Sequence, residues 1–190
     1  MQNLVPGAVI PRDGGDGMFA MFRPLIQATG GLSLRQVCSV TGLEASTIQN
    51  WIKRGFVSHP AEKKYRERQL ARILLISALR GCMKIENIGA LLATVNGDAD
   101  DTRDDIISEE QLYDYLCEII GRAENGMPDM GEIPKIVREA TKDYIPTDDT
   151  ATERLNDALT VMVYAYVAGQ YKQEAERRFQ LIKEKEQNDS

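Results

Sequence analysis

"TGLEASTIQNWIKRGF", residues 41–56, contains the only tryptophan of a 190-residue chain, an amide pair beside it and two adjacent cations. At the helical period Ile48, Trp51 and Ile52 recur at i, i+3 and i+4, an apolar stripe that needs a core. Burying the indole alone stabilises such a unit by roughly 4–6 kcal/mol, an upper bound from its area. That orientation sets the opposite stripe: Ser46, Gln49, Asn50 and Lys53, with no acid among them. Such a row can reach phosphates and base edges in a major groove, where an amide pairs with adenine in two places at once. A merely polar helix back is the plainer reading, so the neighbours decide.

Upstream, Ser33 and Gln36 make a capping box, and Leu34, Val37 and Cys38 share one face of the helix it opens. Thr41-Gly42 stops that helix, and the glycine supplies the tight corner of a helix-turn-helix. Downstream, "FVSHPAEKKY" (56–65) breaks the period and reads as a loop or small β-hairpin, followed by the cationic "KKYRER". In this reading Trp51 anchors the helix, Gln49 and Asn50 read bases, and Lys53 and Arg54 hold phosphate. Ser46 and Thr47 complete its DNA-facing set. The wing candidates are His59, Lys63, Lys64 and Arg66, with a solvated cationic loop as the alternative.

Charge is distributed to match. Residues 33–90 carry 10 Lys/Arg against 4 Asp/Glu, whereas residues 91–190 carry 11 against 23. A basic module that meets something anionic, attached to an acidic module that does not, follows from that asymmetry. The pI near 5.0 does not exclude nucleic acid, because phosphates respond to a local field screened over about 10 Å.

The rest of the chain divides around this module. Residues 1–31 read as an N-terminal arm, Gly/Pro-rich to residue 17, with a short helix in "MFAMFRPLIQATGG" that tolerates Pro24 only in its first turn or at a kink. Helices are expected over Glu67–Arg80 and about Lys84–Val95. "GDADDTRDD" (97–105) is an acidic hinge, a solvated linker that keeps two domains apart. A calcium loop is disfavoured there, since Arg103 stands where the turn glycine belongs. Ser108 with Gln111 caps a further helix, "GEIPKIVREATKDY" makes a shorter one, and Thr150 to about Lys185 a long one. The middle of that last helix, "LTVMVYAYVA", is apolar all round and predicts the central buried helix of a bundle. Met162, Val163, Tyr164 and Tyr166 within it read as core or subunit interface, with a ligand pocket as the alternative.

Enzyme classes find little footing. His59 is the only histidine, Cys38, Cys82 and Cys117 form no CxxC, and no glycine-rich phosphate loop or paired carboxylates appear. No enzyme activity, cofactor or metal is expected. Reduced thiols, the lack of a leader-like start and the lack of a membrane-length apolar run lead to the expectation of a cytoplasmic protein.

Residues 32–95 resemble the DNA-binding module of MerR-type regulators, through Thr41-Gly42, Thr47-Ile48, Trp51, Gly55-Phe56, Tyr65-Arg66 and Gly81. The resemblance implies a winged helix-turn-helix bound to duplex DNA, with Cys38 at a small core position. It departs at Gln49 and Asn50, where MerR-type proteins usually carry an arginine and an aromatic residue. They also dimerise through a long helix directly after the module, which here would end at Asn96-Gly97. A dimer would therefore be built differently, for instance through the helix from Thr150. More closely, "STIQNWIKRGFV", "KKYRERQLARILLI" and "VNGD…DDIISEEQLYDYL" look like domain of unknown function 1836. The expected fold class is thus mostly α: a MerR-like winged helix-turn-helix over 32–96, then an all-α domain over 106–190. That second domain is expected to dimerise the chain or sense a small-molecule or protein effector. The expected function is transcriptional regulation. The alternatives are a protein-interaction module that no longer binds DNA and an excisionase-like architectural factor.

Overall fold

Among the described residues eight helices form: α1 (Met18–Thr29), α2 (Leu34–Thr41), α3 (Ala45–Lys53), α4 (Glu67–Leu79), α5 (Ile85–Asn96), α6 (Glu109–Arg122), α7 (Ile133–Ala140) and α8 (Ala151–Asn188). They belong to a computed structural model that describes residues 5–10, 18–122 and 129–188. Among these residues no strand develops, and only two isolated bridges form, Leu32 with Tyr65 and Ala61 with Lys64. Among the described residues no helix is long and apolar enough to cross a membrane.

Helix α4 is the centre of the packing. Leu70 to Ile76 are all buried, Arg72 included, because α4 is wrapped by α1, α2, α5, α6 and α8. Helix α8 does not take the central place its apolar middle predicts. It buries Leu155, Leu159, Met162 and Val163 against α5, α6 and α7, yet Val161 and Tyr164 on its other side stay 42% and 36% exposed. An all-round apolar run marks a helix with something on every side; here Tyr164 Oη reaches the Met130 carbonyl at 2.7 Å while Val161 beside it stays exposed.

Two further expectations are corrected. The arm reading of residues 1–17 lies partly outside the described residues, but over residues 5–10 it fails. Val5 and Ala8 are buried, Tyr113 Oη on α6 donates to the Pro6 carbonyl at 2.6 Å, and Val9 N–H donates to Val40 O on α2. Gly7 holds φ +74°, and a Cβ there would lie 2.2 Å from the Leu74 carbonyl oxygen, so only glycine lets this segment seat on α4. Nor is the acidic stretch a solvated spacer. The Arg68 guanidinium gathers the Asp98 and Asp101 carbonyls and pairs with Asp105 at 3.4 Å, while Ala99, Ile106 and Ile107 are buried. A cation on α4 thus folds the connection back onto the core, and α6 packs directly on α4.

The α4–α6 seam carries a charge network. Arg72, 4% exposed, donates through Nη1 to Glu109 Oε1 at 2.6 Å and through Nε to the Phe56 carbonyl at 2.8 Å. Arg68 Nε lies 3.6 Å from the other Glu109 oxygen, and Glu109 itself is 1% exposed. Phe56 follows the C-terminus of α3, so one buried pair ties the end of that helix to the start of α6.

Candidate nucleic-acid interface

The pairing of α2 and α3 about Gly42 is built from local rules. Ser33 and Gln36 close the capping box of α2, with Gln36 Oε1 accepting from Ser33 N–H at 2.8 Å. Gly42 ends α2 in the left-handed region at φ +70°, its N–H donating to the Cys38 carbonyl. A Cβ there would come within 2.6 Å of Val9 Cγ1, so the corner also accommodates the N-terminal segment. Helix α3 then buries Ile48, Trp51 and Ile52, with the indole 5% exposed. Phe56 N–H donates to the Trp51 carbonyl at 2.9 Å and closes its end.

That anchoring turns the opposite row outward. Ser46, Gln49, Asn50 and Lys53 are all exposed, and among the described residues none of their side chains makes a hydrogen bond or ion pair. Thr47 is half-buried at the edge of the same face. Arg54 stands apart from them. Its Nη2 pairs with Glu86 on α5 at 2.6 Å and its guanidinium lies 4.8 Å from the Phe56 ring centroid. An arginine already opposed by a carboxylate offers less to a phosphate, so the share expected of Arg54 passes to Lys53.

The expected wing is a single tight turn. Ala61 and Lys64 pair across it, with Lys64 N–H donating to Ala61 O at 2.8 Å, and Leu32 and Tyr65 exchange two backbone hydrogen bonds at its base. Glu62 and Lys63 at its tip hold φ +51° and +60°, the two-residue turn that asparagine and glycine normally occupy. His59 and Lys63 are exposed, whereas Lys64 is half-buried with its Cβ against Gly31. Arg66 is exposed at the start of α4, in a shallow groove with Gln27, Gly30 and Glu110, so it faces the α1–α6 side. A left-handed residue with a side chain costs about 1–2 kcal/mol relative to glycine. Lys63→Gly is therefore expected to raise stability by about 1 kcal/mol in thermal unfolding.

Sequence reading missed Arg68, Arg72 and Glu109, since charges on helices are usually solvated. One signal was present: Arg72 interrupts an otherwise apolar run from Leu70 to Ile76.

With this geometry in place the relatives can be set beside it. Residues 31–116 match the family described as Domain of unknown function (DUF1836). The chain is also 30% identical over 93 residues to "Uncharacterized protein YkrK" of Bacillus subtilis (strain 168), a span of 47% of this chain and 40% of that protein. It thus covers less than half of that relative's length. No solved structure matches. The DUF1836 match begins at the base of the turn and ends within α6, so it takes in α3, Arg68, Arg72, the acidic connection and Glu109 together.

Proposed function

We propose that this chain is a transcriptional regulator that binds duplex DNA through α3, with Gln49 and Asn50 reading base edges and Lys53, Lys63 and Lys64 positioning the helix on phosphates. The carrying observation is the acid-free row on α3, exposed opposite a buried tryptophan. Its chemistry suits a major groove: amides can make paired hydrogen bonds to adenine, and an ammonium neutralises a phosphate. The succession of two short helices, α2 and α3, about the Gly42 turn supports the same reading. The tie from Phe56 through Arg72 to Glu109 gives the acidic helices a mechanical link to α3, a route by which an effector bound there would act.

Equilibrium titration against a random duplex and against a selected site tests the division of labour. Lys53→Ala and Lys64→Ala are expected to weaken binding to every sequence and to flatten the log–log salt slope by about one counterion each. Gln49→Ala and Asn50→Ala are expected to leave that slope alone and lose about 1–3 kcal/mol of preference for the selected site. Four equivalent effects on every sequence would sink the assignment. Duplex binding indifferent to Lys53 and Lys64 would instead point to an acidic protein partner for this surface.

A further inference from the structure

Along α8, Val161, Tyr164, Ala168, Tyr171, Phe179 and Ile182 fall within a sector of about 80° at 100° per residue. All are exposed: Val161 42%, Tyr164 36%, Tyr171 56%, Phe179 54% and Ile182 54%, with Ala168 between the tyrosines also open to solvent. The Tyr164 hydroxyl donates to the Met130 carbonyl at 2.7 Å, which leaves its ring edge for a partner. The stripe begins on the outer side of the packed part of α8 and continues past Gly169, the last buried residue of the helix, so it crosses from the core region onto the projecting end without changing face. Scattered surface apolars need no explanation, but a helical stripe of this length does.

We propose that this stripe is the contact face for a second copy of the same chain, paired antiparallel about Ala168. The charges along α8 select the occupant and its direction. At the N-terminal end the stripe is continued by the exposed Glu153 and Asp157, the flanking Arg154 being paired with Asp148 at 2.7 Å. At the C-terminal end it is flanked by the exposed Arg178, which shares Glu174 with Arg177, and by the exposed Lys183, whose Nζ lies 4.6 Å from the Phe179 ring centroid. A parallel pair sets like charges side by side at both ends. An antiparallel pair sets the acids of each copy along the bases of the other, and a crossing at Ala168 brings Tyr164 of each copy to Tyr171 of its partner. The small side chain at the crossing lets the backbones approach. From Glu153 to Lys185 the helix runs about 48 Å, and at a diameter of about 10–12 Å the two copies together cover roughly 1,000 Å², the lower bound for a specific interface. This deepens the DNA-binding reading, since a symmetric site needs two copies, but it is measured without DNA, so either idea can fail alone.

Sedimentation equilibrium of the full chain tests it. At micromolar concentration the mass is expected at twice the 21.2 kDa chain. Phe179→Glu with Ile182→Glu is expected to weaken the dimer by at least about tenfold. Both positions lie beyond Gly169, so a native circular dichroism spectrum with a cooperative melting transition shows that the fold is intact, the melting temperature itself being lowered by loss of the second copy. Direction is read by oxidation: an equimolar mixture of Glu153→Cys and Lys183→Cys chains, each carrying Cys82→Ser, is expected to cross-link between the two kinds of chain. Single-chain mass at all concentrations, a dimer insensitive to Phe179→Glu with Ile182→Glu, or cross-links only between identical chains would overturn the proposal.

Discussion

Glu109→Ala is expected to lower the unfolding free energy by about 3–5 kcal/mol, measured by urea denaturation, because it strands the Arg72 guanidinium without its carboxylate in the α4–α6 seam. Arg72 is 4% exposed and keeps only the Phe56 carbonyl at 2.8 Å as a partner. The opposite outcome is expected of Arg72→Met with Glu109→Leu. Apolar residues of similar volume remove both charges at once, and most of the loss should return, short of about 1–3 kcal/mol for leaving the Phe56 oxygen unpaired. If Glu109→Ala costs no more than a surface substitution, the seam is not closed as described.

The same carboxylate sets a pH signature. Burial pushes the Glu109 carboxyl above its ordinary 4.5 by more than Arg72 and Arg68 pull it down, and burial likewise raises Asp105. A raised value means the folded chain holds the proton more tightly than the unfolded one. The stability from that proton is fully present below pH 4.5 and is lost as pH rises through the folded value. Relative to Glu109→Gln, the natural chain should therefore lose ground as pH rises across that window. The exposed acids run the other way. Asp101 is held at about 2 by Arg103, and Glu174 at about 2 by Arg177 and then Arg178, so their contributions vanish as pH falls from their ordinary values toward 2. Both are solvent-screened, which leaves Glu109 as the cleaner probe.

The helices were readable where local chemistry is self-sufficient. Ser33 with Gln36, the left-handed Gly42 and the Ile48–Trp51–Ile52 stripe act within one turn or two, and each stands where the spacing put it. Ser108 likewise accepts from Gln111 N–H at the start of α6. What stayed hidden was tertiary. The segment around Gly7 has no period, and it is ordered by Tyr113 from 107 residues away. Arg68 and Arg72 look like ordinary helix-surface cations until α6 brings Glu109 to them. Helix α8 shows the converse, since its sequence is apolar all round and cannot say which side stays exposed. For the candidate site, the outward row on α3 was legible because one buried tryptophan orients it. The capture of Arg54 by Glu86 was not, because the two lie 32 positions apart.

Trp51→Ala is expected to cost about 3–5 kcal/mol, the loss of a large aromatic from a packed core, whereas Asn50→Ala one position away should change stability by no more than about 0.5 kcal/mol. The contrast is strong because a helix turns about 100° per residue, so these neighbours differ in environment more than in location. Trp51 is 5% exposed among Ile48, Ile52 and the closing Phe56 hydrogen bond, while Asn50 is exposed with no side-chain partner among the described residues. As the chain's only tryptophan, Trp51 also reports on itself. Its emission should sit at the short wavelengths of a buried indole in the native state and move to longer ones in urea, with Asn50→Ala indistinguishable from the natural chain in both. Trp51→Phe keeps an aromatic ring in the core and should recover much of the stability. If the stability losses instead fall on Asn50 and spare Trp51, the helix is turned the other way and α3 presents no reading surface.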